Sequence, residues 1–276
     1  MNGTSVNTMS LPRTPGGGHV TQLKVALSEW TKFRSIRSTL YALLTTVVVT
    51  VGLGLIAAFA TVSQWDAMPA ASKATFNPLL MSLLGVNFGV LAIAVLGILM
   101  ITNEFATGMI RSTFAAVPDR LPVLWGKAGV YSIVALAVTV PATLASFLGG
   151  QAILSARHLQ TDFGHAGVAR VVLGSALYLT IAGLLGLGLG GIFRSTAAAI
   201  ATFAGILFIL PGLVSVLPAG ISNLVSPYLP SNAGQAIMSV VPPAHALAPW
   251  VGLGVFAGYA LASITAAAFL LVRRDA

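Results

Sequence analysis

Apolar residues run through this chain in long uninterrupted blocks, and the charged residues stand at the block ends. Six blocks hold no Asp, Glu, Lys or Arg: Leu40 to Val62, Leu79 to Ile101, Ala128 to Leu154, Val171 to Ile192, Ala197 to Leu217 and Leu247 to Val272. A helix of about 20 residues crosses a hydrocarbon layer about 30 Å thick. Each block therefore predicts one membrane-spanning helix. Barrel strands would be short and alternating, and these blocks are continuous. Pro141 predicts a kink in the third, because its ring displaces a backbone hydrogen bond.

What precedes the first block divides in two. Residues 1–18 are rich in Gly, Pro, Ser, Thr and Asn without periodicity, and read as a disordered tail. No apolar core follows at signal-peptide distance. Residues 19–37 instead show helical spacing. Val20, Leu23, Ala26, Leu27, Trp30 and Phe33 share one arc, opposite Thr21, Lys24, Ser28, Thr31, Lys32 and Ser35. An apolar face centred on Trp30, with Lys32 and Arg34 beside it, suits an amphipathic helix lying in the headgroup layer. Residues 38–276 then form the transmembrane domain. The expected fold is all-α and polytopic: six transmembrane helices, an N-terminal interfacial helix and a re-entrant segment before the last helix.

Composition removes the soluble alternatives. Of 276 residues, 57% are hydrophobic and 7% charged, where a soluble domain carries about a quarter charged residues. The net charge of +8 would suit nucleic acid in a soluble protein. Here the basic residues flank apolar blocks, so they point to anionic lipid headgroups and not to nucleic acid. Eleven of the 14 Lys and Arg fall on one side of a six-span layout: Arg13, Lys24, Lys32, Arg34, Arg37, Arg111, Arg120, Lys127, Arg194, Arg273 and Arg274. Lys73, Arg157 and Arg170 fall on the other. The basic side is expected to be cytoplasmic, with both termini inside and the plasma membrane as the location. An odd number of spans would mix the two groups.

The connections predict unequal roles. Thr102 to Lys127 is a long inner loop with room for a short helix from Asn103 to Ala116, stopped by Pro118. Pro218 to Ala246 is a long outer connection without one formal charge, and is expected to dip into the membrane or pack on the outer mouth. Ser72 and Ser231 should then face outside and Ser112 inside.

Catalytic chemistry is scarce. No G-x-x-x-x-G-K-[ST] run occurs, so the chain itself holds no P-loop nucleotide. Gly186, Gly188, Gly190 and Gly191 sit inside an apolar block, where small residues let helices approach closely. With no Cys there are neither disulfides nor thiolate metal sites. His158, Asp162 and His165 share one loop, but no ligand motif frames them. Ser175 has no facing intramembrane His for a protease, and the spans hold no Asp, Glu, Lys or Arg for a proton or ion path. The expectation is a protein that is not an enzyme and binds no cofactor.

The inner loop carries the most informative pattern. Glu104 ends the second span, Gly108 and Arg111 follow, then Pro118, Arg120 and Lys127 lead into the third. In this order and spacing the chain resembles the type-2 ABC transporter permease family, the membrane subunits of ABC exporters. The stretch Ser28 to Ser35 is similar to that family's connecting helix, and Phe193-Arg194-Ser195 to its turn between spans four and five. The uncharged segment before span six resembles its outer re-entrant helices, and Leu229 to Gly234 resembles actinobacterial members. The resemblance implies a permease subunit that forms the translocation path and couples to a separate ABC ATPase subunit. It also implies a second permease subunit, as homodimer or heterodimer. Glu104, Gly108, Arg111, Pro118, Arg120 and Lys127 would form the ATPase-coupling loop, and Trp30, Lys32, Phe33 and Arg34 the interfacial helix. The alternative is an anchoring or assembly subunit without transport.

Overall fold

An apolar block in lipid must satisfy its backbone internally, and a helix does so within one segment. In the computed structural model every block is helical, and among the described residues no strand occurs. Those residues are 27–28, 30–31, 37–109, 120–240 and 245–273. Six helices are long and apolar enough to cross a membrane: this is an all-α, multi-pass membrane protein. We label them α1 (Arg37–Gln64), α2 (Val86–Ala106), α3 (Arg120–Leu154), α4 (Val168–Phe193), α5 (Thr196–Ser215) and α6 (Pro249–Arg273).

α4 is the axis of the bundle. It packs against α2, α3, α5 and α6, while α1 covers α2 and α3 from outside. Its glycines explain the position: Gly183 and Gly186 place bare backbone against Ile93 and Ala94 of α2, and Gly188 and Gly191 meet Ser263 and Ala267 of α6. Small residues on such a stripe bring backbones close enough for dispersion contacts along the whole crossing.

Three local departures from straight helices were not visible in the apolar blocks. First, the second span begins with a separate short helix, Pro78–Ser82. Asn77 caps it by accepting from the N–H groups of Leu79 and Leu80 at 3.0 and 3.2 Å. At the break before α2, the Ser146 hydroxyl of α3 donates to the carbonyl of Ser82 at 2.6 Å. Gln151 donates to the Ser82 hydroxyl at 2.9 Å and to the Pro78 carbonyl at 3.1 Å. Side chains of α3 thus replace the bonds that a continuous helix would make. Second, α3 starts at Arg120 and runs through Pro141 without ending there. Third, α5 contains a π-helical turn at Gly205–Ile209 just before Pro211. Pro211 has no N–H for the preceding turn and its ring crowds that turn's carbonyls, so the helix widens.

The uncharged segment before α6 splits into two halves. Helix Ala219–Val225 has no buried residue. Helix Pro230–Gln235 and the turn Ala236–Met238 are almost wholly buried between α4 and α6. Gly234 lies so close to Tyr178 and Phe256 that a Cβ there would overlap both rings. Tyr178 is ten residues into α4, about 15 Å along the helix axis. The second half therefore re-enters the bundle to roughly half the depth of a hydrocarbon layer. Ser231, expected from the sequence to be accessible, is only 4% exposed because it rides on this inserted half.

Candidate functional site

The polar residues at the basic end of the bundle converge on one cluster. Glu104 lies in the last turn of α2 and Lys127 in the second turn of α3; they are 6% and 2% exposed. Their side chains meet as an ion pair, Nζ to Oε1 at 2.7 Å. Two residues before Glu104, Thr102 accepts a hydrogen bond from the Thr196 hydroxyl at the start of α5, at 2.8 Å. Arg194 closes the group. It ends α4 in a left-handed conformation, φ 54°, with its N–H donated to the Gly190 carbonyl. That turn throws its guanidinium 4.9 Å from the centre of the Phe105 ring of α2 and brings Nη2 to 3.4 Å from the Leu270 carbonyl of α6.

Separate contacts thus tie the helix ends pairwise: the ion pair joins α2 to α3, the threonines join α2 to α5, and Arg194 joins α4 to α2 and α6. An ionic pair out of water holds its geometry because separating the charges leaves each uncompensated. The pair fastens the end of α2 to the beginning of α3. The chemistry is mechanical: the ammonium and the carboxylate neutralise each other and hold α2 to α3, while the guanidinium rests on the Phe105 ring and the Leu270 carbonyl.

The placement of the coupling-loop residues differs from the expectation in one respect. The helix expected from Asn103 to Ala116 is not separate from the second span at its start, and residues 110–116 lie outside the described residues. Residues 103–106 are the end of α2, Thr107 caps it, and Gly108 turns the chain at φ +71°. That angle suits glycine, which has no Cβ to clash there. Glu104 therefore belongs to the last turn of α2. Lys127 likewise sits inside α3, whose start at Arg120 precedes the expected Ala128. The reason is the pairing: a lysine neutralised by a carboxylate does not have to mark the membrane edge.

Arg111 and Pro118 lie outside the described residues, and so do Lys32, Phe33 and Arg34 of the expected interfacial helix. Of that helix Leu27, Ser28, Trp30 and Thr31 are helical, with Leu27 and Trp30 both exposed. Thr31 donates its hydroxyl to the Leu27 carbonyl at 2.9 Å. Arg194 and the Thr102–Thr196 contact were missed as partners of the loop residues. The available signal was topological: Glu104, Lys127 and Arg194 stand at ends of successive antiparallel spans, so they share one end of the bundle. At the opposite end, among the described residues, His158, Asp162 and His165 do not gather into a metal-holding group.

No protein-family model matches the chain, and no curated protein matches it either.

Proposed function

We propose that this chain is the membrane-spanning subunit of an ATP-binding-cassette exporter in the plasma membrane, working with a separate ATPase subunit and a second permease subunit. The supporting observation is the buried Glu104–Lys127 pair at the root of the longest connection on the basic side. A push delivered to residues 107–119 by a cytoplasmic motor would reach α2 and α3 as one body. The sequence holds no nucleotide-binding loop of its own, so in this reading the energy enters through that connection.

The test is purification of the tagged full chain from its own host in mild detergent. A P-loop ATPase in comparable amount, hydrolysing ATP, is the expected companion. Arg111→Glu should deplete it severalfold, and the same reversal in the tail, Arg274→Glu, should not. Recovery with membrane proteins alone, and no ATPase, would favour the anchoring role and end the exporter reading.

The orientation in this proposal places both termini in the cytoplasm, from the bias of eleven basic residues against three. Because the chain has no Cys, single cysteines report accessibility cleanly. Ser72→Cys and Asn223→Cys, both at exposed positions of the far end, should react with an impermeant maleimide on intact cells. Ser112→Cys should react only after permeabilisation, and Ser231→Cys, being buried, should react in neither state. Labelling of Ser112→Cys on intact cells would invert the topology.

A further inference from the structure

A cavity of about 480 Å³ lies at the end of the bundle remote from the Glu104 cluster, between the second span and the uncharged segment before α6. Asn87 on its wall is 19 residues from Ala106 at the other end of α2, about 29 Å along the axis. The cavity therefore sits at the level of the far headgroup boundary.

Its lining has an unusual polarity. Four carboxamides face it, from Asn87, Asn223, Asn232 and Gln235, with the hydroxyls of Ser226 and Ser239. Among the described lining residues there is no Asp, Glu, Lys or Arg, and His245 is the one titratable side chain. Leu80, Leu84, Met238 and Leu247 supply an apolar wall beside these groups. Carboxamides concentrated where one side of the wall is Leu and Met orient a ligand that is polar at one end and apolar at the other.

The internal hydrogen bonds decide which polar end fits. Asn232 gives its Nδ2 to the carbonyl and hydroxyl of Ser226, both at 2.9 Å. Asn87 gives its Nδ2 to the Leu84 carbonyl at 3.4 Å. Both N–H groups of Asn232 are thereby engaged and its carbonyl oxygen is left to accept, whereas Asn87 keeps one N–H as well as its oxygen. An anionic head could accept from the amides and hydroxyls, but among the described lining residues it finds no Lys or Arg to offset its desolvation. A cationic head would find no carboxylate on the described wall, and the Ser239 carbonyl is already engaged by the Arg170 guanidinium at 2.9 Å. A hydroxyl both donates and accepts, and matches this mixture of carbonyl oxygens, serines and amides.

We infer that this cavity binds a neutral amphiphile with a hydroxyl-rich head, of the alkyl glycoside kind. The inference stands on the chain alone and does not require the ATPase reading.

The probe is a dodecyl glucoside with a photoreactive diazirine in its chain, applied to the full chain in phosphatidylcholine nanodiscs without any ATPase. Dodecyl sulfate and dodecylammonium with the same diazirine are the comparators. Cross-links from the glucoside should fall in the peptides holding Leu80–Asn87 and Asn223–Ser239, at least about fivefold above either charged probe, the weight of one hydrogen bond. Asn232→Leu should lower that labelling by a similar factor. Because Asn232 also holds the turn at Ser226, Asn223→Leu gives an independent reading. It lies on a helix with no buried residue, so folding is preserved, and it should lower labelling by about twofold to fivefold. Ile133→Ala, on the exposed face of α3, should change nothing. Equal labelling by all three probes, labelling spread over the exposed faces of the bundle, or no effect of Asn223→Leu in folded protein would each overturn the assignment. If the glucoside labels the cavity but no ATPase accompanies the chain, the site stands and the exporter reading falls.

Discussion

Lys127→Met is expected to destabilise the folded bundle by about 3–5 kcal/mol, because it leaves the Glu104 carboxylate charged and without its ammonium in a dry interface. The joint replacement Glu104→Leu with Lys127→Met should recover most of that loss, since an apolar pair of similar volume needs no compensation there. A second ion pair in the same molecule supplies the control. At the far end Arg157 holds Asp66 through two hydrogen bonds of 2.7 and 3.2 Å, at side-chain exposures of 42% and 75%. Its geometry is bidentate and the better of the two, yet water screens it, so Arg157→Met should cost only about 0–1 kcal/mol. Denaturation by sodium dodecyl sulfate in mixed micelles, followed by tryptophan fluorescence, compares all four proteins. Burial decides this comparison: equal losses for Lys127→Met and Arg157→Met would mean that the inner pair is wet. In that case the fastening of α2 to α3 would not hold, and the coupling route proposed for residues 107–119 would lose its footing.

The same pair explains where sequence reading reached its limit. Continuous apolar runs fix the number of spans and place most ends within a few residues, since six helices occupy the six blocks. The start of α3 is the exception. From the sequence Lys127 marks a boundary, because an unpaired ammonium in hydrocarbon is costly. Its partner is 23 residues away along the chain, and only the packed helix ends reveal that the charge is neutralised. Gly108, placed by the sequence inside a helix from Asn103 to Ala116, instead turns the chain just after α2 ends at Ala106. The uncharged segment behaves in the same way. Absence of charge in residues 218–246 signals contact with membrane or protein, but it is equally true of both halves. Only Pro230–Met238 presents small residues, Ala233 and Gly234, where α4 and α6 leave room. Shape complementarity selects the inserted half, and no local pattern carries that information.

Shape also sets the last prediction, in which one methyl group has opposite effects at two positions. Gly97 of α2 lies against Gly183 of α4, and a Cβ there would run into the Gly183 carbonyl and come within 3.1 Å of the Leu187 nitrogen. Both obstacles are backbone of a helix that is itself held on other sides. Gly183 packs under the Tyr131 ring, whose hydroxyl donates to the Ile93 carbonyl at 3.1 Å. Relief by a side-chain rotation is therefore closed, and α2 must move away from α4 along its length. Separation loosens dispersion contacts at Ile93, Ala94 and Ile101 as well as at the mutated site. Gly97→Ala should thus cost about 3 kcal/mol, the upper part of the range for overpacked cores. Gly129 in α3 has no atom within 4 Å of such a Cβ. There alanine removes the backbone entropy that glycine loses in a helix, and Gly129→Ala should gain up to about 1 kcal/mol. The two variants add the same group to helices of the same bundle, so their hydrophobic gain is equal and only the neighbour differs. Unfolding midpoints in one detergent should move in opposite directions. A shift of the same sign and size for both would show that α2 and α4 do not meet backbone to backbone at Gly97, and that the bundle is not organised around α4.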